Sequence, residues 1–230
     1  MSENPANAAQ DTRSVRVWDL PSRLFHWLLV ALIGAQWLTA NGDVSWMWLH
    51  QWGGYAILAL VIWRLLWGFA GSPTARFANF LRGPRAVTTY ARGLLHEEHP
   101  VIIGHNPLGG WSVVLMLLLI ALQAGTGLFS SDDILTEGPL AHLVSSDWVG
   151  FLTAVHHISF NLLLALVVLH IGAVFLHLFV GEDDLVTPML TGRKRIPAML
   201  AGAERPFVGN LRAVILFLCV VGLLWVVLRL

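Results

Sequence analysis

Five long apolar runs constrain this chain more than any other feature of its sequence. Each run is close to the roughly 20 residues that an α-helix needs to cross the hydrocarbon core of a bilayer. A transmembrane β-barrel would instead show segments of about ten residues with alternating polarity. The sequence therefore predicts an all-α integral membrane protein with five spans, at residues 24–40, 48–70, 111–129, 152–180 and 214–228.

Composition excludes several other classes of protein. Only 12% of the 230 residues are charged and 56% are hydrophobic, while a soluble domain carries about 25% charged residues. This apolar content excludes an intrinsically disordered chain. A formal net charge of +0 without a dominant basic stripe argues against nucleic acid as a partner. The single cysteine, Cys219, excludes an intramolecular disulfide, a thiolate zinc site and a cysteine-ligated iron–sulfur cluster.

The loops between the spans alternate in charge, which predicts the orientation of the chain. Basic residues mark cytoplasmic segments of bacterial inner-membrane proteins. The polar residues 1–17 lack the apolar core of a cleaved signal and are predicted to form a cytoplasmic tail. The fifth span then places the C-terminus outside. The bases lie in every second segment, at Arg13, Arg16 and Arg23, at Arg76, Arg82, Arg85 and Arg92, and at Arg193, Lys194, Arg195 and Arg205, while the other loops carry Asp43, Asp132, Asp133, Glu137 and Asp147.

The connection at residues 71–110 is long for a helical bundle. Its apolar residues recur at helical spacing between arginines, and Gly83 followed by Pro84 offers a break and a favourable first helical position. We expect an amphipathic segment on the cytoplasmic face, with a loosely ordered basic loop as the alternative. The apolar positions are Phe77, Phe80, Leu81, Val87, Tyr90 and Leu94.

Histidines inside membrane spans are costly and indicate function. His156 and His170 are 14 residues apart, which places them within about 40° of one helix face and about 21 Å apart along it. His50 matches His156 near the outer side, and His26 matches His170 near the cytoplasmic side. Haem iron, which takes two axial imidazoles in an apolar slot between helices, suits two such sites.

Other readings of the histidines remain open. Zinc needs about four clustered ligands, which the separation along one helix forbids, and a proton relay would be expected to include acidic residues within the spans. Each histidine could also bond only to a neighbouring helix. His177 competes with His170 as the partner of His26, and His157 is expected to face away from His156. Solvated or interfacial side chains are expected for the loop histidines His96, His99, His105 and His142.

Small residues and one arginine are consistent with a flat cofactor. Arg64 lies 14 residues after His50, on a similar stripe at the inner level, where it could pair with a haem propionate or extend to the cytoplasmic surface. Glycines could supply the slot for a macrocycle or serve only close helix packing. They are Gly34, Gly53, Gly54, Gly125, Gly127 and Gly172.

Several short motifs together resemble the prokaryotic di-haem cytochrome b561 family, which includes the b-type cytochrome subunit of membrane-bound nickel–iron hydrogenases. They are VWDLP at 17–21 with RLFHW at 23–27, LH at 49–50 with GGY at 53–55, WRLLWGF at 63–69, GHNPLGG at 104–110 and TGRKR at 191–195. The resemblance implies four helices that hold two haems b, with His26, His50, His156 and His170 as axial ligands. It also implies that a redox partner docks at the outer face and that quinone reacts near the inner haem. The fifth span departs from this pattern.

The resulting organisation is a tail at 1–17, a di-haem domain at 18–195 and a linker with the fifth helix at 196–230. The predicted function is to pass electrons across the inner membrane between the quinone pool and a periplasmic or membrane-bound partner, such as a c-type cytochrome or a hydrogenase-like subunit. The alternatives are a quinone-linked oxidoreductase with a small diffusible donor such as superoxide, and a haem-free transporter or anchor. Membrane lipid is the surrounding partner in each case.

Overall fold

The computed structural model describes residues 12–96, 101–132, 135–180, 183–202 and 206–229. His99, Asp133, Arg205 and most of the predicted tail therefore lie outside the described residues. Five helices within the described ranges are long and apolar enough to cross a membrane, as the sequence predicts. They are α1 (Leu20–Ala40), α2 (Met47–Ala70), α5 (Pro107–Gly127), α6 (Ser146–Phe179) and α8 (Asn210–Arg229).

Polar capping residues set the beginnings of α1 and α5. The carboxylate of Asp19 accepts a hydrogen bond from the backbone N–H of Ser22 at 2.9 Å, and Pro21 lies in the first turn. At α5 the side chain of Asn106 accepts from the N–H of Gly109 at 2.7 Å, and Pro107 is the first helical residue. Both patterns favour a helix start, so each helix begins four residues before the apolar run that predicts it.

Helix α2 lies at the centre of the bundle. It packs against α1, α5 and α8, and α5 in turn packs against α6. The core includes Trp63 and Trp67 of α2, whose rings stack with centroids 5.4 Å apart. The indole N–H of Trp63 donates to the carbonyl of Ala213 at 3.0 Å, which ties α2 to α8. The fifth helix is therefore packed onto the bundle.

Among α1, α2, α5 and α6, helix α6 has the smallest share of buried residues. Its 34 residues include only two buried ones, Ser159 and Leu163. Close packing joins α6 to α5, while α1 and α2 are not among its closely packed neighbours. A cleft therefore separates α6 from α1 and α2 within the bundle.

The connection between α2 and α5 contains two short helices, α3 (Phe77–Phe80) and α4 (Pro84–Leu95). Gly83 is the N-terminal cap of α4 and Pro84 its first residue, as the sequence predicts. The indole N–H of Trp111 donates to the carbonyl of Arg82 at 2.9 Å, and α4 packs against α5. This segment is helical and attached to the bundle, which favours the amphipathic reading over the loosely ordered loop.

A two-stranded antiparallel sheet adds to the helical fold and was not predicted. Strand β1 (Thr12–Arg16) pairs with β2 (Arg193–Pro197), with Thr12 opposite Pro197. The pairing buries Val15 and Ile196 together with Val17 in a small apolar cluster. The sheet closes one end of the bundle, which we call the sheet end. It links the predicted tail to the last residues of the predicted domain.

The short helix α7 (Val186–Thr191) joins α6 to this sheet. Gly192 ends α7 at a φ of +83°, where a Cβ would meet the carbonyl oxygen of Trp18 at 2.8 Å. Only glycine adopts this backbone conformation without strain. Lys194, which is 7% exposed, pairs with Asp183 at 2.6 Å and donates to the carbonyl of Ile102 at 3.1 Å. The loop before α5 is thereby held at the sheet end.

Candidate functional site

The structure brings the four predicted histidines together in two pairs. The ring centroids of His26 on α1 and His170 on α6 are 6.5 Å apart. Those of His50 on α2 and His156 on α6 are 6.3 Å apart. Bonds of about 2.0 Å from one metal ion to a nitrogen of each ring would place two imidazole centroids about 6 Å apart. Each pair therefore leaves room for one metal ion between its rings.

Hydrogen bonds determine which nitrogen of His156 faces its partner. Nδ1 donates to the carbonyl of Gln123 at 2.9 Å. The hydroxyl of Thr126 donates to the carbonyl of Leu122 at 2.8 Å, so its oxygen is an acceptor for Nδ1 at 3.3 Å. With the proton on Nδ1, the lone pair lies on Nε2, which accepts from the side-chain amide of Gln123 at 3.1 Å. In this tautomer Nε2 is the nitrogen that could bind a metal ion, in exchange for the hydrogen bond from Gln123.

His50 is held by the same device on a different helix. The hydroxyl of Thr39 donates to the carbonyl of Ala35 at 2.9 Å, and its oxygen lies 3.2 Å from Nδ1 of His50. Because that hydroxyl has already donated its one hydrogen, it accepts from Nδ1 and leaves the lone pair on Nε2. Thr39 and Thr126 thus orient the two rings of one pair, a role that no sequence pattern indicates.

The pair at the sheet end is less constrained by hydrogen bonds. Nδ1 of His26 is buried and has no hydrogen-bond partner among the described residues. The ring of Trp27 contacts His26 edge-on, with centroids 5.0 Å apart. A buried imidazole without a partner is costly unless another group completes its bonding.

The structure places Arg64 inside the bundle rather than at its surface. Its side chain is 5% exposed, and Nη1 has no hydrogen-bond partner among the described residues. The guanidinium lies over the ring of Phe77, with Cζ 5.3 Å from the centroid. Asp19 exerts an attractive charge on Arg64, but its carboxylate oxygens accept from Ser22 and from the indole N–H of Trp67 at 3.1 Å. Arg64 is therefore a buried cation that lacks a direct anionic partner in the described part of the chain.

His177 and His157 lie outside both pairs. Nδ1 of His177 donates to the carbonyl of Ala173 at 2.9 Å, and its Nε2 accepts from the hydroxyl of Tyr90 at 3.2 Å. The side chain of Asn106 lies 3.4 Å from the same Nε2. His177 is thus engaged with α4 and the start of α5, and it is His170 that faces His26. His157 is exposed, as expected.

The expectation of a solvated or interfacial side chain is wrong for His105. Its ring packs between Trp18, with centroids 4.7 Å apart, and Phe80, at 4.4 Å. Nδ1 is buried without a partner among the described residues. Burial, with smaller contributions from Arg64 and His170, lowers the pKa of His105 to about 3. Its ring is therefore neutral and close to the histidine pair at the sheet end. His96 and His142 are exposed, as expected.

The glycines divide into two groups. A Cβ built on Gly34, Gly54, Gly125 or Gly172 would meet no atom within 4 Å, so these positions border open space. A Cβ on Gly127 would lie 3.0 Å from Cε1 of His156, and one on Gly53 would collide with the side chain of Gln36. Gly127 therefore makes room for a ring, and the first group leaves space that a flat molecule could occupy.

Together these features fit a planar metal cofactor better than a metal ion alone. No group of three or more histidine, cysteine, aspartate or glutamate side chains in the described ranges could hold a metal ion. Two facing imidazoles in an apolar cleft instead suit haem iron, which takes its other four ligands from the porphyrin. A multi-pass helical bundle with paired histidines defines the class of membrane b-type cytochromes.

Comparison with known proteins identifies the family within this class. The sequence profile of the prokaryotic cytochrome b561 family matches residues 17–192, so the chain belongs to that family. The chain is 25% identical over 219 residues to a probable Ni/Fe-hydrogenase B-type cytochrome subunit of Rhizobium leguminosarum bv. viciae, covering 81% of this chain and 91% of the relative. No solved structure matches the chain. The predicted resemblance is confirmed, and the protein is a membrane b-type cytochrome in electron transfer.

Proposed function

We propose that this chain holds two haems b and conducts electrons between the two faces of the bacterial inner membrane. The pair His26 and His170 binds one haem at the sheet end, and the pair His50 and His156 binds the other at the opposite end. The observation that carries the proposal is the separation of the ring centroids, 6.5 Å in one pair and 6.3 Å in the other. The electron-transferring unit is residues 18–195, and residues 196–230 attach the fifth helix.

The residues of the chain position the cofactors and exclude other chemistry. Haem supplies one-electron oxidation and reduction of its iron when it is bound. The four histidines would hold the two haems and would leave neither iron free to bind oxygen or a substrate. Thr39 and Thr126 hold two of the rings in the tautomer that presents Nε2, and Arg64 supplies a cation for a haem propionate.

The distribution of charge supports the orientation and the partners. The arginines at the sheet end support a cytoplasmic location for that end. We assign reaction with quinone to the cytoplasmic haem and docking of a redox protein to the outer haem. The relative from Rhizobium leguminosarum is described as a hydrogenase subunit, which supports a hydrogenase-like or c-type cytochrome partner. The acidic outer residues Asp132, Glu137 and Asp147 suit a basic protein and disfavour an anionic donor such as superoxide.

The first test is a reduced-minus-oxidised absorption spectrum of the purified protein, with haem measured per chain as the pyridine complex. We expect two low-spin haems b per chain. The variants His50→Ala and His156→Ala should each retain one haem, because each loses a ligand of the same pair. His157→Ala is the matched control on the same helix and should retain two. A colourless wild-type protein after haem-replete expression would contradict the proposal and favour a transporter or anchor.

A further inference from the structure

Two of the buried side-chain nitrogens near the sheet-end histidine pair belong to Arg64 and His105, and neither has a hydrogen-bond partner among the described residues. They are Nη1 of Arg64, at the end of α2, and Nδ1 of His105, in the loop before α5. The charge of Arg64 acts on His105, and so does that of His170. The two nitrogen groups and the histidine pair therefore share one region of the protein interior.

The surroundings of these two groups hold them in place but do not satisfy them. The rings of Trp18 and Phe80 contact His105 on the ring, not through a hydrogen bond. The centroid of the Phe77 ring lies 5.3 Å from Cζ of Arg64. It lies 5.7 Å from the ring centroid of Phe80. These aromatic side chains leave the buried N–H donors unused. An unpartnered buried donor destabilises the folded protein, and more so when it is charged.

A carboxylate would satisfy both groups at once. It accepts several hydrogen bonds, and its charge would balance that of Arg64, which a neutral acceptor group could not do. Asp19 is already engaged by the start of α1 and by Trp67. Arg64 and His105 lie close to His170. A haem held between His26 and His170 would therefore bring its own propionate carboxylates near these two side chains.

We propose that Nδ1–H of His105 and the guanidinium of Arg64 together bind one propionate of the haem at the sheet end. The inference rests on the proposed function, because it requires a haem between His26 and His170. His105 acts as a neutral donor beside a cation, which its lowered pKa maintains at every physiological pH. The segment GHNPLGG at 104–110 thus contributes a cofactor contact from outside the membrane spans.

The test is a redox titration of the two haems in wild-type protein and in His105→Leu. Loss of the N–H donor leaves the propionate charge less neutralised, which favours ferric iron. We expect the midpoint potential of one haem to fall and that of the other to stay unchanged. His105→Asn retains an N–H donor near the position of Nδ1 and should restore the potential. His96→Leu, an exposed histidine on the same side, is the matched control.

Reconstitution with haem dimethyl ester identifies the source of the carboxylate. In wild-type protein the ester should raise the potential of the same haem, because it removes the negative charge of the propionate. With the ester in place, His105→Leu should no longer lower that potential, because no propionate charge remains for the N–H donor to neutralise. If His105→Leu lowers the potential equally with haem and with its dimethyl ester, the carboxylate comes from a free anion and the inference is overturned.

The outcome also separates this inference from the proposed function. Wild-type protein with two haems and an unchanged potential in His105→Leu would overturn the propionate contact alone. Loss of one haem from His105→Leu, with retention in His105→Asn, would support it; loss from both variants would assign His105 a packing role. Wild-type protein without haem would overturn the proposed function itself.

Discussion

At the scale of single residues, the two histidine pairs differ in how their rings are fixed. His50 and His156 each place Nδ1 next to a threonine hydroxyl that has already donated its hydrogen to a helix carbonyl. His26 has a buried Nδ1 without such a partner. Groups that orient a ligand commonly change metal affinity by 10–100-fold, so the two haems should differ in how strongly the protein retains them.

We predict that Thr39→Val increases the rate at which one haem leaves the protein by about tenfold. Valine removes the hydroxyl that accepts from Nδ1 of His50. It preserves the shape of threonine and leaves the backbone of Gln36 as the remaining hydrogen-bond partner of the ring. The rate is measured as haem transfer to excess apomyoglobin. Thr39→Ser keeps the hydroxyl and should behave as wild type, and Thr88→Val on the exposed helix α4 is a second control. Equal rates in Thr39→Val and wild type would show that the hydroxyl does not orient the ring.

At the scale of elements, the beginning of α1 is fixed by one carboxylate with two tasks. Asp19, which is 3% exposed, caps α1 through Ser22 and also accepts from Trp67 near the end of α2. Asp19 therefore caps the start of α1 and also joins α1 to α2. This explains why the motif VWDLP at residues 17–21 carries a buried acidic residue next to a membrane span.

We predict that Asp19→Ala destabilises the folded protein by about 1–3 kcal/mol, since it leaves the indole N–H of Trp67 buried without an acceptor and removes a helix cap. Thermal unfolding of the detergent-solubilised protein measures the effect. Asp43→Ala is the matched control, because Asp43 also accepts a backbone hydrogen bond, from Ser45 at 2.9 Å, but is exposed. A larger loss of stability in Asp43→Ala than in Asp19→Ala would contradict this account.

At the scale of the whole molecule, the fifth helix, α8, covers α2. It does so on the side away from α6, the helix that both histidine pairs share. It packs on α2 and α1 through Ala213 and Val220, and α8 contributes no histidine. Its place in the fold is therefore to bury apolar surface of the bundle, and the proposed haem ligands lie on α1, α2 and α6.

We predict that Ala213→Leu lowers stability by about 1–3 kcal/mol by overpacking the contact between α8 and α2. Both haems and their spectra should be retained, because no proposed ligand lies on α8. The measurements are the thermal midpoint and the haem content of the same preparation. Leu218→Ala, at an exposed position of the same helix, should change neither. Loss of a haem from Ala213→Leu would show that α8 takes part in cofactor binding.

The parts of the fold that the bilayer imposes were predictable from the sequence. The hydrocarbon core demands helices of a minimum length, so hydropathy located all five spans. The helical period brought His156 and His170 to one face, and each now lies opposite a predicted partner. The resemblance added the order of the motifs and thereby favoured His170 over His177.

The remaining features depend on contacts between distant parts of the chain. Thr12 and Pro197 pair across almost the full length of the bundle domain, and no local pattern in the polar residues 12–16 indicates that partner. The burial of His105 likewise depends on Trp18 and Phe80, which come from two other segments. Local sequence describes a loop at this position, and only the assembled sheet end makes it an interior site.

The antiparallel pairing of β1 with β2 also orders events during synthesis. Strand β1 cannot pair fully with β2 until residue 197 has left the ribosome. By that time four membrane helices have been made. A contact between residues so far apart in sequence forms late, because the chain must lose conformational entropy before the contact can stabilise it. At this end of the bundle, β1 and β2 therefore join the segment before α1 to the segment after α6 only once both helices have been made.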